Sequence, residues 1–185
     1  MVEQQLRNKR YALLFGIRRS VRYHVKRQQF FDRLHSLTSA LSIILGSTAV
    51  VALIKDNWDY VGIPAAALVT VLSSIDLVVG YSKKARLHER LSGKFIDLEK
   101  KIISVNEAEF SDADLAHCTQ DRLNIEAEEP PAKNVLDSIC HNEMLRAQGI
   151  RDASEYVRIT TLQRLLAQFC DYRQNEIVKP GHPRS

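Results

Sequence analysis

Glycine, proline and cysteine are all sparse in this chain of 185 residues, at 7, 5 and 3 respectively. No Gly-rich loop occurs of the kind whose backbone N–H groups cradle a phosphate, and neither HExxH nor GxSxG is present. The chain is therefore read as a non-enzyme, with no catalytic residue and no cofactor. Cys118, Cys140 and Cys170 are odd in number, far apart and without CxxC spacing. That pattern gives neither a disulfide framework nor a zinc centre, and reduced thiols in a cytosolic setting fit instead. His117 beside Cys118, and Cys140 beside His141, do not change this, because successive helical residues point about 100° apart and rarely share an ion. A Cys140/His141 nucleophile pair also lacks an orienting acid. Two-residue alternation is missing throughout, so the expected fold class is all-α.

Charge is absent from two stretches, residues 36–54 and 61–75, which only residues 55–60 separate. A spanning helix needs roughly 20 apolar residues. The first run is about that long, and the second reaches it by continuing through Asp76 to Ser82. These runs predict a two-helix transmembrane hairpin, TM1 at 36–54 and TM2 at 61–82, with the lipid bilayer as first partner. Pro64 falls in the first turn of TM2, where its missing N–H does no harm. The polar first 33 residues argue against a cleavable signal peptide, so TM1 itself is the targeting signal. A hairpin buried in a soluble protein is the competing reading, but so small a soluble part could hardly wrap two such helices.

The formal charge is +4 and the sequence pI about 9.0. The excess is uneven. Lys26, Arg27 and Arg33 precede TM1; Lys83, Lys84, Arg86, Arg90 and Lys94 follow TM2; Lys55 stands alone in the connection beside Asp56 and Asp59. Cytoplasmic flanks are enriched in Lys and Arg, so both termini are expected in the cytoplasm, with a small loop outside. Trp58 and Tyr60 are read as outer interfacial anchors, with Phe30, Phe31 and Tyr81 as inner ones. A basic block can also signal nucleic acid, but beside a spanning helix the topological meaning is preferred and no direct nucleic-acid contact is expected.

Inside TM1, Ser39, Ser42, Gly46 and Ala49 form a small-residue stripe, and Ser42-x-x-x-Gly46 permits close helix approach. TM2 offers Gly62, Ala66, Thr70, Ser73 and Ser74. The stripe serves helix packing or a water-lined path. Asp76, the one ionisable residue in either run, is costly at membrane depth. It either lines a pore with Thr38 and Ser39 as hydrogen-bond donors, or anchors at the inner headgroups through His35 or Lys83.

Four segments follow: a basic cytoplasmic amino-terminal helix at 1–35, the hairpin at 36–82, a cytoplasmic helical region at 83–178 and a disordered tail at 179–185. In the first, Tyr11, Leu14, Ile17 and Val21 make the apolar stripe. After TM2, Leu87, Leu91, Phe95, Leu98, Ile102 and Val105 alternate by four and three, the mark of a coiled-coil or bundle seam. It is expected to extend TM2 as one rod and to join protomers of a homo-oligomer, with its basic face near anionic lipid. Ser111 or Asp112 caps a helix to about Ala127, with Asp114 in its first turn. The acidic residues 107–129 form a solvated face or pair with the basic amino-terminal helix. Pro130 and Pro131 break the chain. A helix from Ala132 ends at Gly149. Asp152 or Ser154 starts a last helix with stripe Tyr156, Ile159, Leu162, Leu166 and Phe169, completing a small carboxy-terminal helical bundle.

Several segments together carry a resemblance. Arg22-Tyr23-His24 and Arg33-Leu34-His35 lead into TM1. Tyr81-Ser82-Lys83-Lys84-Ala85-Arg86 and Leu91-Ser92-Gly93-Lys94-Phe95 follow TM2. Glu128-Glu129-Pro130-Pro131-Ala132, Leu136-Asp137 and Cys140-His141-Asn142-Glu143 come later. Over residues 21–149 the chain resembles the SLATT family, two-transmembrane effectors associated with bacterial nucleotide-second-messenger and reverse-transcriptase defence systems. The resemblance implies a pore-forming effector of anti-phage, abortive-infection defence, set in the bacterial inner membrane. It would oligomerise when a separate nucleotide-signalling or reverse-transcriptase partner senses infection. No catalytic motif is carried over. The block 128–143, with His141, Asn142 and Glu143, is either an input surface or a helix–helix corner. The alternative function is a membrane-anchored adaptor whose cytoplasmic helices bind a signalling partner.

Overall fold

A computed structural model describes residues 2–54 and 59–177. The Lys55, Asp56 and Trp58 readings and the disordered tail at 179–185 fall outside the described residues. Six α-helices are present among them: α1 (Val2–Ile54), α2 (Asp59–Val79), α3 (Tyr81–Ser104), α4 (Asp112–Glu126), α5 (Asn134–Ala147) and α6 (Thr161–Leu166). No strand occurs among the described residues, and the fold is all-α.

The basic amino-terminal helix and the first apolar run are one helix of 53 residues, since no proline interrupts them. The second apolar run does not continue into the following helix as a uniform rod. Gly80 takes a left-handed φ of 64° between α2 and α3. The hydrogen-bond ladder nevertheless passes through the turn: the Gly80 N–H donates to the Asp76 carbonyl at 2.8 Å and the Lys84 N–H to the Gly80 carbonyl at 3.0 Å. Only glycine adopts that φ without strain.

The described chain forms two compact units, one of residues Met1–Lys26 with Glu89–Ser185, the other of Arg27–His88. The core of the first is built from Leu13 and Ile17 of α1, Phe95, Leu98 and Ile102 of α3, Phe110, and Cys118 of α4. Leu91, Phe95 and Ile102 are fully buried. The heptad-like seam read as an oligomer interface is, from Phe95 to Ile102, filled by α1 of the same chain. Leu87 belongs to the other unit and is half-buried. Of the α1 stripe, Ile17 lies in the first unit's core and Leu14 and Val21 pack against it, and only Tyr11 departs. Tyr11 is exposed and its hydroxyl donates to Gln148 Oε1 at 2.7 Å, while Leu13 takes the core position. A phenol keeps its O–H near water when an aliphatic neighbour can fill the core instead.

Local signals set the ends of α4 and α5. Ser111 and Asp114 form a capping box at α4. Gly149, at φ 73°, lets the Ile150 N–H reach the Leu145 carbonyl at 3.0 Å. The start of α5 is capped by distant groups: the Lys133 N–H donates to the Tyr23 hydroxyl at 2.9 Å and the Val135 N–H to Asp171 Oδ1 at 3.1 Å. Tyr23 also joins Val135, Leu136, Cys140 and Ala167 in a second core cluster.

The last helix expected from Asp152 is absent over most of its length. A single 3₁₀ turn occupies Ala153–Glu155, extended chain follows, and α6 covers only Thr161–Leu166 behind a Thr160 and Gln163 capping box. The cause is Asn142. Its side chain accepts from the Val157 N–H at 2.9 Å and donates to the Val157 carbonyl at 2.7 Å. That pair of bonds replaces those a helix would have supplied.

Candidate membrane-embedded site

Within the unit Arg27–His88, burial along the two apolar helices follows a four-and-three alternation. On α1 the row His35, Thr38, Ser42, Leu45, Ala49 and Ala52 is covered, with Gly46 and Thr48 half-covered beside it; on α2 the row is Gly62, Ala65, Val69, Leu72, Asp76 and Val79, with Val61 half-covered beside it. Two contacts give the register. A β-carbon placed on Gly62 would lie 2.7 Å from the Ala52 methyl and 3.7 Å from the Ala49 carbonyl oxygen, while His35 Nδ1 and Asp76 Oδ2 are 3.2 Å apart. Residue numbers rise on one helix as they fall on the other, as in antiparallel neighbours.

Close approach thus occurs at Gly62 against Ala49 and Ala52. It does not occur at Gly46, where an added β-carbon would meet nothing within 4 Å. Of the sequence-derived packing or pore residues, Ser42 lies on the seam, Gly46 is half-covered at its edge, and Ser39 and Ser73 are exposed. Thr38 was read as a donor to Asp76, but its hydroxyl bonds the Leu34 and His35 carbonyls of its own helix. Asp76 is met instead by His35, the arrangement read as anchoring.

The outer faces are apolar. Ile43 and Ile63 are each 70% exposed, Leu77 85% and Val78 84%. Two helical stretches, Glu3–Ala52 and Tyr60–Ser104, are long and apolar enough to cross a membrane, and of their most apolar 18 residues 0% and 11% are buried. Four hydroxyls along these stretches bond carbonyls of their own helix. Ser47 donates to the Ile43 carbonyl (2.8 Å), Thr48 to Ile44 (2.9 Å), Thr70 to Ala66 (3.0 Å) and Ser74 to Thr70 (2.7 Å).

One turn before His35, Phe31 is 5% exposed and is not the outward-facing anchor its sequence position suggested. The His88 ring stacks on it with centroids 5.8 Å apart and planes at 12°. The Arg27 guanidinium lies 4.5 Å and the Lys84 ammonium 5.7 Å from the Phe31 centroid. This cluster was missed. Its signal was the seam period itself, which places Phe31 four residues before His35 on the covered face.

In the other unit, the three residues read as an input surface are all engaged. Asn142 holds Val157, Glu143 pairs with Lys26 at 3.0 Å, and His141 meets the Phe15 ring edge-on with centroids 5.4 Å apart. That is the geometry of a helix–helix corner. The cations of α1 bind carboxylates of α3 and α5, Arg18 to Glu99 at 2.7 Å and Arg19 to Asp137 at 3.1 Å. From the acidic stretch 107–129 only Glu129 reaches an α1 side chain among these pairs, lying 3.0 Å from the buried His24. Asp121 and Glu128 turn to α3. Hydrogen bonding from Lys101 and Lys94 respectively lowers the two carboxyls below the ordinary range. Burial pushes the Cys140 thiol up to about 12, with Glu143 adding to it. The three cysteines are unbridged. Among the described residues no three His, Cys, Asp or Glu side chains converge as a metal site.

Comparison with known protein families, with curated proteins and with solved structures finds no match for this chain.

Proposed function

We infer that the chain is an integral membrane protein whose α1 and α2 form a transmembrane hairpin. One observation carries this reading: the most apolar stretches of both helices turn their large side chains outward, with 0% and 11% buried. A helix from a soluble core hides such residues, and a contiguous exposed apolar surface marks a membrane or partner. The in-helix bonds of Ser47, Thr48, Thr70 and Ser74 fit lipid, which offers hydroxyls no other partner. The His35–Asp76 contact puts the outer limits of both apolar runs at one end of the unit, so the basic residues beyond them share one side. The excess of Lys and Arg assigns that side to the cytoplasm. Both termini then lie in the cytoplasm of a bacterial inner membrane.

The function proposed is that of a pore-forming effector in anti-phage, abortive-infection defence, as the SLATT-like segments imply. Two helices cannot enclose water, so several copies assemble when a separate sensor, a nucleotide-signalling or reverse-transcriptase partner, is activated. With the α3 seam filled internally, the contact between copies falls to the edge of the hairpin near Ser39, Gly46 and Ser73. The open space beside Gly46 admits a neighbouring helix closely there.

A second reading has its own support. The in-helix bonds of Ser47, Thr48, Thr70 and Ser74 leave much of the exposed helix faces apolar in character, which suits an anchor that holds the cytoplasmic helices for a signalling partner.

Two measurements test these readings together. After expression in bacteria, the chain should stay with membranes through alkaline carbonate extraction, and induction alongside its activating partner should collapse the signal of a voltage-sensitive dye. A monodisperse chain in detergent-free buffer overturns the membrane reading. Retention in the membrane with an intact potential replaces the pore by the anchor.

A further inference from the structure

Two contacts between α1 and α2, both within the unit Arg27–His88, differ in kind. At one end Gly62 of α2 lies so close to α1 that a β-carbon there would stand 2.7 Å from the Ala52 methyl. That contact is apolar and leaves no space. At the other end His35 Nδ1 and Asp76 Oδ2 are 3.2 Å apart, with side chains 45% and 28% exposed. His35 and Asp76 are the only titratable members of the two covered rows. One end of the pair is thus held by shape and the other by a polar contact.

Four residues after Asp76 the backbone changes hand. Gly80 has a φ of 64°, and its N–H donates to the Asp76 carbonyl at 2.8 Å. A β-carbon at Gly80 would meet nothing nearer than Lys83 Cδ at 3.8 Å, so the glycine serves conformation rather than space. Asp76 therefore holds α1 through its carboxylate and the α2–α3 junction through its carbonyl. Hinges are a few residues at element ends that absorb a backbone change, and Gly80 stands at such an end.

We propose that the His35–Asp76 contact is a clasp on the hairpin. While it holds, the ends of α1 and α2 that carry it stay together. When it parts, these ends swing open about the Gly62 contact as pivot, and Gly80 takes up the change in backbone. The inference rests on the membrane reading above and gives the proposed effector its moving part. A carboxylate and an imidazole in contact satisfy one another beside the apolar runs. Lipid tails offer neither group a replacement, so the clasp parts only where water reaches this end.

Spin-label distances in the full chain, reconstituted in lipid nanodiscs, read the motion. Cys170→Ser leaves only the buried Cys118 and Cys140. Labels then go on exposed positions: Leu37→Cys with Leu77→Cys beside the clasp, and Val50→Cys with Ile63→Cys beside the pivot. His35→Ala and Asp76→Ala should each shift the Leu37–Leu77 distance to values longer by several ångströms and leave the Val50–Ile63 distance fixed. The swap His35→Asp with Asp76→His should restore the short distance, which a variant that merely folds poorly would not do. Unchanged Leu37–Leu77 distances in both Ala variants overturn the clasp. An equal shift in both label pairs removes the pivot and the proposal with it. A swap that stays open assigns the change to lost packing and overturns the pairing. Carbonate extraction of the labelled protein separates this from the parent reading. Retention in membranes with fixed distances removes the clasp alone, whereas loss of the wild type from membranes removes the membrane reading with it.

Discussion

Gly62 of α2 packs so tightly on Ala52 of α1 that a β-carbon at Gly62 would stand 2.7 Å from the Ala52 methyl. The neighbouring Ala49 carbonyl, at 3.7 Å from the same point, leaves little room to slide. Gly62→Ala therefore forces the helices apart and should destabilise the pair by about 1–3 kcal/mol, the usual penalty of overpacking. Gly46→Ala meets nothing within 4 Å and should be neutral or stabilising by about 0.5 kcal/mol, since glycine is the weaker helix former. Thermal unfolding of both variants in one detergent decides the point. Equal losses would refute the register given by Ala52 and Gly62.

The α3 seam makes a different prediction from the one its heptad pattern alone suggests. Leu91 and Phe95 are fully buried, and Phe95 packs in the cluster that contains Leu13 and Ile17 of the same chain. Leu91→Ala should cost about 2–5 kcal/mol and Phe95→Ala about 3–5 kcal/mol. The loss should appear as lower thermal stability of each protomer, independent of protein concentration. A concentration-dependent loss with unchanged protomer stability would instead return the seam to an interface between copies.

Much of this was readable because the signals are local. Ser111 with Asp114, and Gly149, act within a few residues of the helix ends they define, so the sequence alone places them. The apolar period of α3 was equally plain, but a period shows only that a face is covered and not which chain covers it. The choice between Gly46 and Gly62 as the point of close approach depends on how α1 and α2 slide past one another, which neither small-residue pattern contains. The missing length of the last helix depends on Asn142, 15 residues away in sequence from Val157. The Phe31 platform needed α1 and α3 side by side, so its two cations looked like ordinary topological charges.

Asn142 should behave as a structural clamp. Both of its polar groups bond the Val157 backbone, and both residues are buried. Asn142→Ala strands a buried N–H and a buried carbonyl, so a loss of about 2–4 kcal/mol is expected for the two groups. Hydrogen exchange reads it directly: the Val157 amide should lose protection in Asn142→Ala, while amides in the middle of α4 keep theirs. Equal loosening of α4 would mean that the clamp is not local to the extended segment.

Cys140 offers a chemical readout of the second core. Burial pushes its thiol from the ordinary 9.0 up to about 12, so it stays protonated in the folded state at physiological pH. Because the folded value is raised, the thiol's contribution to stability is complete below pH 9. It falls as pH climbs toward 12, where the unfolded chain gains by releasing the proton. The rise to about 12 corresponds to a loss of at most ~4 kcal/mol across that window. The stability difference between wild type and Cys140→Ala should shrink accordingly from pH 8 to pH 11. Thiol labelling should agree with it. A maleimide at pH 7.5 should modify the exposed Cys170 rapidly, whereas Cys140 and Cys118, both buried, should react only as fast as the unit opens. Rapid labelling of Cys140 in the folded chain would contradict the packing of Tyr23, Val135 and Ala167 around it.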